Sequence, residues 1–220
     1  PTFLSDAELT RVMASLRRAF RIAPGAETSI EVDPRTVNHD RLAHLASLGF
    51  NRLSFGVQDF DPVVQAAVNR IQPYDLVAYQ VAALRDSGIR SLNLDLIYGL
   101  PFQSVSGLQR TVTQAVTLQP ERIALFGYAH VPWMKPHQRL IDDATLPDSH
   151  ARFRQFEAAA QGLAAAWPGD VAREALIECS LESGGTTRSD AKFDIDGASG
   201  TLAYYAGLGQ KLGETTILVE

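Results

Sequence analysis

Apolar residues along the chain switch repeatedly between a helical and an extended period, and the switches mark out its elements. Leu9, Val12, Met13, Leu16 and Phe20 keep the spacing of one buried helical stripe. Ser5 and Glu8 supply a capping box at its start, and Pro24-Gly25 ends it. Residues 28–33 then read as a strand, 40–48 as a helix closed by Gly49, and 52–58 as a second strand. An apolar helical segment leads to Asn69. After Pro73 a helix places Val77, Val81 and Leu84 on one face and stops at Gly88, and an almost wholly apolar strand covers 92–98. Leu108, Val112, Ala115 and Val116 mark another helix, Pro120 ends it, and 123–131 reads as a fourth strand. An alanine-rich helix follows and stops at Trp167-Pro168-Gly169.

Strands that alternate with helices and are nearly continuous in apolar residues require a parallel sheet covered by helices. The fold class is therefore α/β. A barrel is favoured over an open sheet because polar groups recur where each strand ends: Glu31 and Asp33, Gln58 and Asp59, Asp95, and Tyr128 with His130. Opening on Pro1-Thr2-Phe3, the chain shows no first strand of its own, so the barrel is expected to be partial and incomplete at its N-terminus. Residues 1–166 form that part. Residues 167–220 change character: 180–200 are dense in Ser, Gly, Thr and Asp, which predicts a loop, with a weak helix over 202–208 and an apolar run at 217–219. The tail reads as divergent, whether through disorder or a shifted reading frame.

Composition narrows the function classes. At 45% hydrophobic over 220 residues the chain can bury a substantial core. A formal charge of -5 leaves no basic footprint for nucleic acid or a membrane surface. No apolar run approaches the ~20 residues of a spanning helix. The single cysteine, Cys179, permits neither an intrachain disulfide nor a cysteine-only metal site, which suits a cytoplasmic location.

Several polar residues stand out against the apolar pattern. Glu31 and Asp33 point to one face of the first strand end, as either a solvated loop entrance or carboxylates for an amine or ribose hydroxyl. Ser54, Gly56 and Gln58 share a face of the second strand; a glycine there marks close approach of a ligand, or packing. Arg70 is either a surface residue or a fork for a carboxylate. Asp95, inside an apolar strand, requires a partner because burying an unpaired charge is costly. Lys135, His137 and Arg139 either meet an anionic substrate or line an ordinary loop, and His130 and His137 have no carboxylate or cysteine company in the sequence, so no metal site is assigned. The phosphate-cradling GxxxxGK and the metalloprotease HExxH are absent.

Taken together, EVDPRTV, GFNRLSFGVQDFDPVVQAAVNRIQP, LNLDLIYGLP and FGYAHVPWMKPHQRLI resemble the bacterial oxygen-independent coproporphyrinogen III oxidases over about residues 1–160. The resemblance implies a partial (βα) barrel of the radical S-adenosylmethionine type, in which three cysteines hold a [4Fe-4S] cluster. It implies that Glu31, Gln58, Arg70, Asp95 and the backbone at Ala129 cradle S-adenosylmethionine, and it suggests Lys135 and Arg139 for the carboxylates of coproporphyrinogen III. The implied reaction uses a 5′-deoxyadenosyl radical to convert two propionates to vinyl groups, with an electron donor for the cluster and a final electron acceptor. It also puts the cluster's CxxxCxxC upstream of Pro1, so these 220 residues by themselves are expected to be inactive. Two rivals remain: a heme-chaperone sister group, disfavoured by Gln58-Asp59 and Asn69-Arg70, and a non-catalytic fragment.

Overall fold

Four strands, β1 (Ser29–Val32), β2 (Arg52–Gln58), β3 (Ser91–Tyr98) and β4 (Arg122–Gly127), form one parallel sheet in the order β1-β2-β3-β4. This is a computed structural model, and it describes residues 3–166; the expectations for the tail lie outside the described residues. The chain divides into two units, Pro1–Leu163 and Ala164–Glu220, and the architecture below belongs to the first. Among the described residues each strand pairs with the next in the chain, so the order of these four does not reverse and they contain no switch point. That is the progression of a barrel wall, and right-handed crossovers advancing one way keep the helices on one side. The α/β class and the partial barrel are thus both present.

The helices are α1 (Asp6–Ala19), α2 (His39–Ser47), α3 (Pro62–Ala67), α4 (Tyr74–Asp86), α5 (Val105–Thr117) and α6 (Ser149–Ala166). Alternate strand residues, Ile30, Val32, Leu53, Phe55, Leu92, Leu94 and Leu96, join Leu42, Leu45, Val77, Leu84, Leu108 and Val112 of the helices in one core. Fully buried side chains of this kind contribute about 1.5–3 kcal/mol each before chain entropy is subtracted. The capping box at α1 is formed, with Ser5 Oγ accepting from the Glu8 amide and Glu8 accepting from the Ser5 amide at 2.8 Å.

Two expectations need correction. Of the α1 stripe, only Leu9 and Met13 are buried; Val12, Leu16 and Phe20 are 42%, 41% and 66% exposed. A stripe as wide as the sequence shows has two rows of side chains, and the described residues cover one of them. The fourth strand stops at Gly127 instead of reaching Val131. Its neighbour β3 turns away at Gly99, whose φ of 88° is left-handed, so Tyr128 N–H donating to Tyr98 O at 2.8 Å is the last link of the ladder. Beyond it the Gln138 amide takes over, donating to Ala129 O at 3.0 Å and accepting from Val131 N–H at 2.6 Å.

Candidate functional site

The strand residues of opposite parity make a polar inward face. Register sets Glu31, Ser54, Asn93 and Arg122 in one row across the sheet, and Gly56, Asp95 and Ala124 in the next row toward the C-terminal rim. Asp95 has the partners its half-burial demands: Ser54 Oγ donates to Oδ2 at 2.9 Å and Asn93 Nδ2 donates to Oδ1 at 2.7 Å. Asn93 also donates to Ser54 Oγ at 2.7 Å, closing a three-residue ring. Each Asp95 oxygen keeps further lone-pair capacity.

A bulge interrupts β2 between Gly56 and Gln58, and Gln58 takes a left-handed φ of 69°. Its amide folds back over Gly56: a Cβ there would lie 2.7 Å from Gln58 Nε2 and 2.9 Å from Arg70 Nη2. Glycine at position 56 therefore admits both side chains. Arg70 Nη2 donates to Gly56 O at 2.8 Å and lies 3.7 Å from Asp33, while its Nε is buried without a partner among the described residues. Burial lowers the Arg70 pKa, opposed by the charges of Asp33, Glu31 and Asp95, which gather around it. Burial pushes the Asp33 carboxyl up, but hydrogen bonds from Arg35 and the charges of Arg70 and Arg35 outweigh it and leave the pKa lowered. Glu31, Gln58, Arg70 and Asp95 thus converge at one rim.

Asp59, noted at the rim, belongs instead to the scaffold. It is 1% exposed and accepts from Gln103 Nε2 at 2.6 Å, Thr111 Oγ1 at 2.7 Å and the Asp61 amide at 2.6 Å. Gln65 bonds the Asp59 and Gln72 carbonyls, and Gln72 bonds Gly56 O at 2.9 Å. Gln155 of α6 ties in Gln103 O and the Gly99 amide. This buried amide network holds the ends of β2 and β3 against α3, α5 and α6.

Past β4, Ala129 is exposed with its carbonyl bonded by Gln138. Lys135 and Arg139 are exposed on the following loop, Arg139 Nε donating to Pro132 O at 3.3 Å. His130 does have carboxylate company, which corrects the sequence reading: Nε2 lies 2.9 Å from Asp143, and the Tyr128 hydroxyl is 3.4 Å from Nδ1. Burial raises the Tyr128 pKa. Among the described residues no three His, Cys, Asp or Glu side chains converge as a metal site, and Cys179 lies outside them. Sequence reasoning missed the positioning role of Asn93, which shares the parity of Asp95, and of Ser54, which only the register between β2 and β3 sets beside them, and it missed Arg152, for which the sequence held no signal.

The family model of the radical SAM superfamily matches residues 1–115. The oxygen-independent coproporphyrinogen III oxidase of Bradyrhizobium diazoefficiens is 46% identical over 163 residues, which are 74% of this chain and 36% of that protein. The enzyme of the same name from Helicobacter pylori strain J99 is 44% identical over 158 residues, 71% of this chain and 35% of the relative. The chain therefore spans about a third of the length of these relatives. Among solved structures, coproporphyrinogen III oxidase from Escherichia coli, a radical SAM enzyme, superposes with a TM-score of 0.72 at 41% identity, covering 76% of this chain and 38% of that one. The archaeal Elp3 of Methanocaldococcus infernus, at 14% identity and a TM-score of 0.51, shares the fold alone.

Proposed function

Because the chain belongs to the radical S-adenosylmethionine superfamily, we propose that its inward rim holds S-adenosylmethionine for the oxidative decarboxylation of two coproporphyrinogen III propionates to vinyl groups. The product is protoporphyrinogen IX, made in oxygen-independent heme synthesis, with an external electron donor and acceptor. The observation that carries this reading is the convergence of Glu31, Gln58, Arg70 and Asp95 around Gly56. The donor set fits the cofactor: the unpartnered Arg70 Nε belongs to a fork suited to the methionine carboxylate, and Glu31 and Asp95 suit an ammonium group and ribose hydroxyls. Gln58 adds an amide over the same spot, and the Ala129 backbone, its carbonyl fixed by Gln138, completes the assigned set.

When bound, S-adenosylmethionine supplies the hydrogen-abstracting radical chemistry of the superfamily. A [4Fe-4S] cluster held by three cysteines finds no such ligand set in these 220 residues, whose one cysteine is Cys179. The roles assigned to this chain are therefore binding and orientation. Ser54 and Asn93 hold the Asp95 carboxylate in one rotamer, so its bonds to the ligand cost little reordering. Lys135 and Arg139, exposed on the loop after β4, are assigned to the anionic substrate.

S-adenosylhomocysteine binding, measured by calorimetry on the 220-residue chain, tests the cradle without the cluster. Saturable binding by the native chain, weakened about tenfold or more by Arg70→Ala and by Asp95→Ala, is expected. No binding, or binding indifferent to both substitutions, overturns the reading. Arg139→Ala should weaken binding of the stable porphyrin coproporphyrin III; unchanged affinity removes Arg139 from the substrate contacts.

A further inference from the structure

Arg152, in the first turn of α6, reaches the tips of β3 and β4. Its Nη2 donates to Tyr128 O at 2.7 Å, and the guanidinium carbon lies 5.9 Å from the centre of the Tyr98 ring. Gly99 makes room for it, since a Cβ there would lie 3.0 Å from Arg152 Nε. At Gly127 a Cβ would first meet the Tyr98 hydroxyl, at 2.9 Å, with Arg152 Nη2 at an ordinary 3.5 Å. The guanidinium is thus half-buried and fixed on several sides, yet no carboxylate of the described residues lies within ion-pairing distance. Contrast Arg35, Arg52 and Arg70, each of which faces an acidic partner.

The free side of Arg152 lines a cavity of about 310 Å³ shared with Tyr98, Ser149, Phe153 and Phe156. An immobilised fork with no carboxylate partner among the described residues, beside a hydroxyl and three aromatic rings, suits a carboxylate on a short apolar stem. The volume sits at the floor of the roughly 300–1,000 Å³ range of small-molecule pockets, so it suits an arm of a ligand and not a macrocycle. We propose that Arg152 and Ser149 receive one carboxylate arm of the substrate, with Tyr98, Phe153 and Phe156 flanking its methylenes. This rests on the substrate reading above, in which the arm is a propionate of coproporphyrinogen III. Arg152 reaches the C-terminal tips of β3 and β4, the rim on which the proposed cofactor cradle also lies, but from the helix side, because Tyr98 has the strand parity of Leu92, Leu94 and Leu96.

The test is a fluorescence titration of coproporphyrin III into the full 220-residue chain, with S-adenosylhomocysteine calorimetry on the same samples. Arg152→Gln is expected to weaken coproporphyrin III binding about tenfold or more and to leave S-adenosylhomocysteine affinity within about twofold. Arg152→Lys, which keeps the charge and loses the fork, should fall between, and it decides the matter if the Gln variant does not fold. The tetramethyl ester, which has no carboxylates, should bind native and Arg152→Gln chains equally weakly. Native-like coproporphyrin III binding by Arg152→Gln and Arg152→Lys overturns the assignment of Arg152 and leaves the substrate reading standing. Parallel loss of both ligands makes Arg152 a prop for the β3 and β4 tips and also overturns it. A native chain that binds S-adenosylhomocysteine but no coproporphyrin III sinks the substrate reading itself.

Discussion

Replacing Gly56 by alanine separates the ligand cradle from the fold that carries it. The new Cβ would stand 2.7 Å from Gln58 Nε2 and 2.9 Å from Arg70 Nη2, both far ends of flexible side chains, so the side chains retreat while the strand stays. Arg70 must move by about half an ångström to reach ordinary contact, and its 2.8 Å bond to Gly56 O is strained or lost. A hydrogen bond from a charged donor is worth about 1.5–3 kcal/mol. For the fold this is an upper bound, because the Arg70 side chain is 27% exposed and water recovers part of the bond. Alanine also returns roughly 0.5–1 kcal/mol that glycine costs inside a strand. The net loss of stability should therefore be at most about 0.5–2.5 kcal/mol. For a ligand that uses Arg70 there is no such offset, and the same 1.5–3 kcal/mol becomes about a ten- to hundredfold loss of affinity. Urea denaturation and S-adenosylhomocysteine calorimetry on Gly56→Ala measure the two quantities side by side. Native affinity would refute the placement of Arg70 and Gln58 in the cradle. A stability loss several times larger would refute the claim that only side-chain ends move.

Asp59→Ala leaves the donors of Gln103, Thr111 and the Asp61 amide facing a void, which should cost about 3–5 kcal/mol of unfolding free energy measured by urea denaturation; a loss under about 1 kcal/mol would show the network is dispensable. Asn93→Ala removes two bonds from the Asp95 ring and should lower S-adenosylhomocysteine affinity severalfold, with a stability cost of about 1–3 kcal/mol; equal affinity would mean Asp95 needs no positioning. Burial pushes Glu27 up, but the hydrogen bonds and charges of Arg52 and Arg122 outweigh it, so its folded pKa, like that of Asp33, lies below its unfolded value. Stability from these pairs is present above about pH 4, the unfolded carboxylate range, and is lost as pH falls through the folded values. Glu27→Gln should therefore flatten the acid limb of a melting-temperature profile, and an unchanged limb would count against the pairing.

How far the sequence reached depended on whether the deciding contact was local. The bounds of β2 were readable because Asn51 and Gln58 flank an alternating run, and the end of α4 because Gly88 closes it. The residues from Tyr128 to Val131 look as strand-like as those before them; what ends β4 is the turn of its neighbour at Gly99, thirty residues earlier in the chain. The apolar stripe of α1 gave its phase correctly and said nothing of how much of its width would be covered. At the site, the cost of a buried charge demanded a partner for Asp95 but could not choose Ser54 and Asn93, since that choice is made by register between β2 and β3. Arg152 is indistinguishable in sequence from its exposed neighbour Arg154, because its seat is made by Gly99 just past β3 and by the Tyr128 carbonyl past β4, both distant in the chain.

Adjacent residues Gln58 and Asp59 show how one backbone irregularity assigns polar groups to separate tasks. Uninterrupted alternation would send them to opposite faces of a regular strand, with the carboxylate unable to reach the core donors at its end. The extra residue at Val57 and the left-handed turn of Gln58 bring the Gln58 amide back over Gly56 while the chain dips, so that Asp59 is enclosed by Gln103 and Thr111. Gly56 O then accepts from Arg70 on the ligand side and from Gln72 on the scaffold side. The cradle is consequently anchored through a carbonyl that the buried network itself holds in place. In the proposed cradle this bond holds Arg70 at 3.7 Å from Asp33, half-buried among three acids, instead of letting it close fully onto that carboxylate.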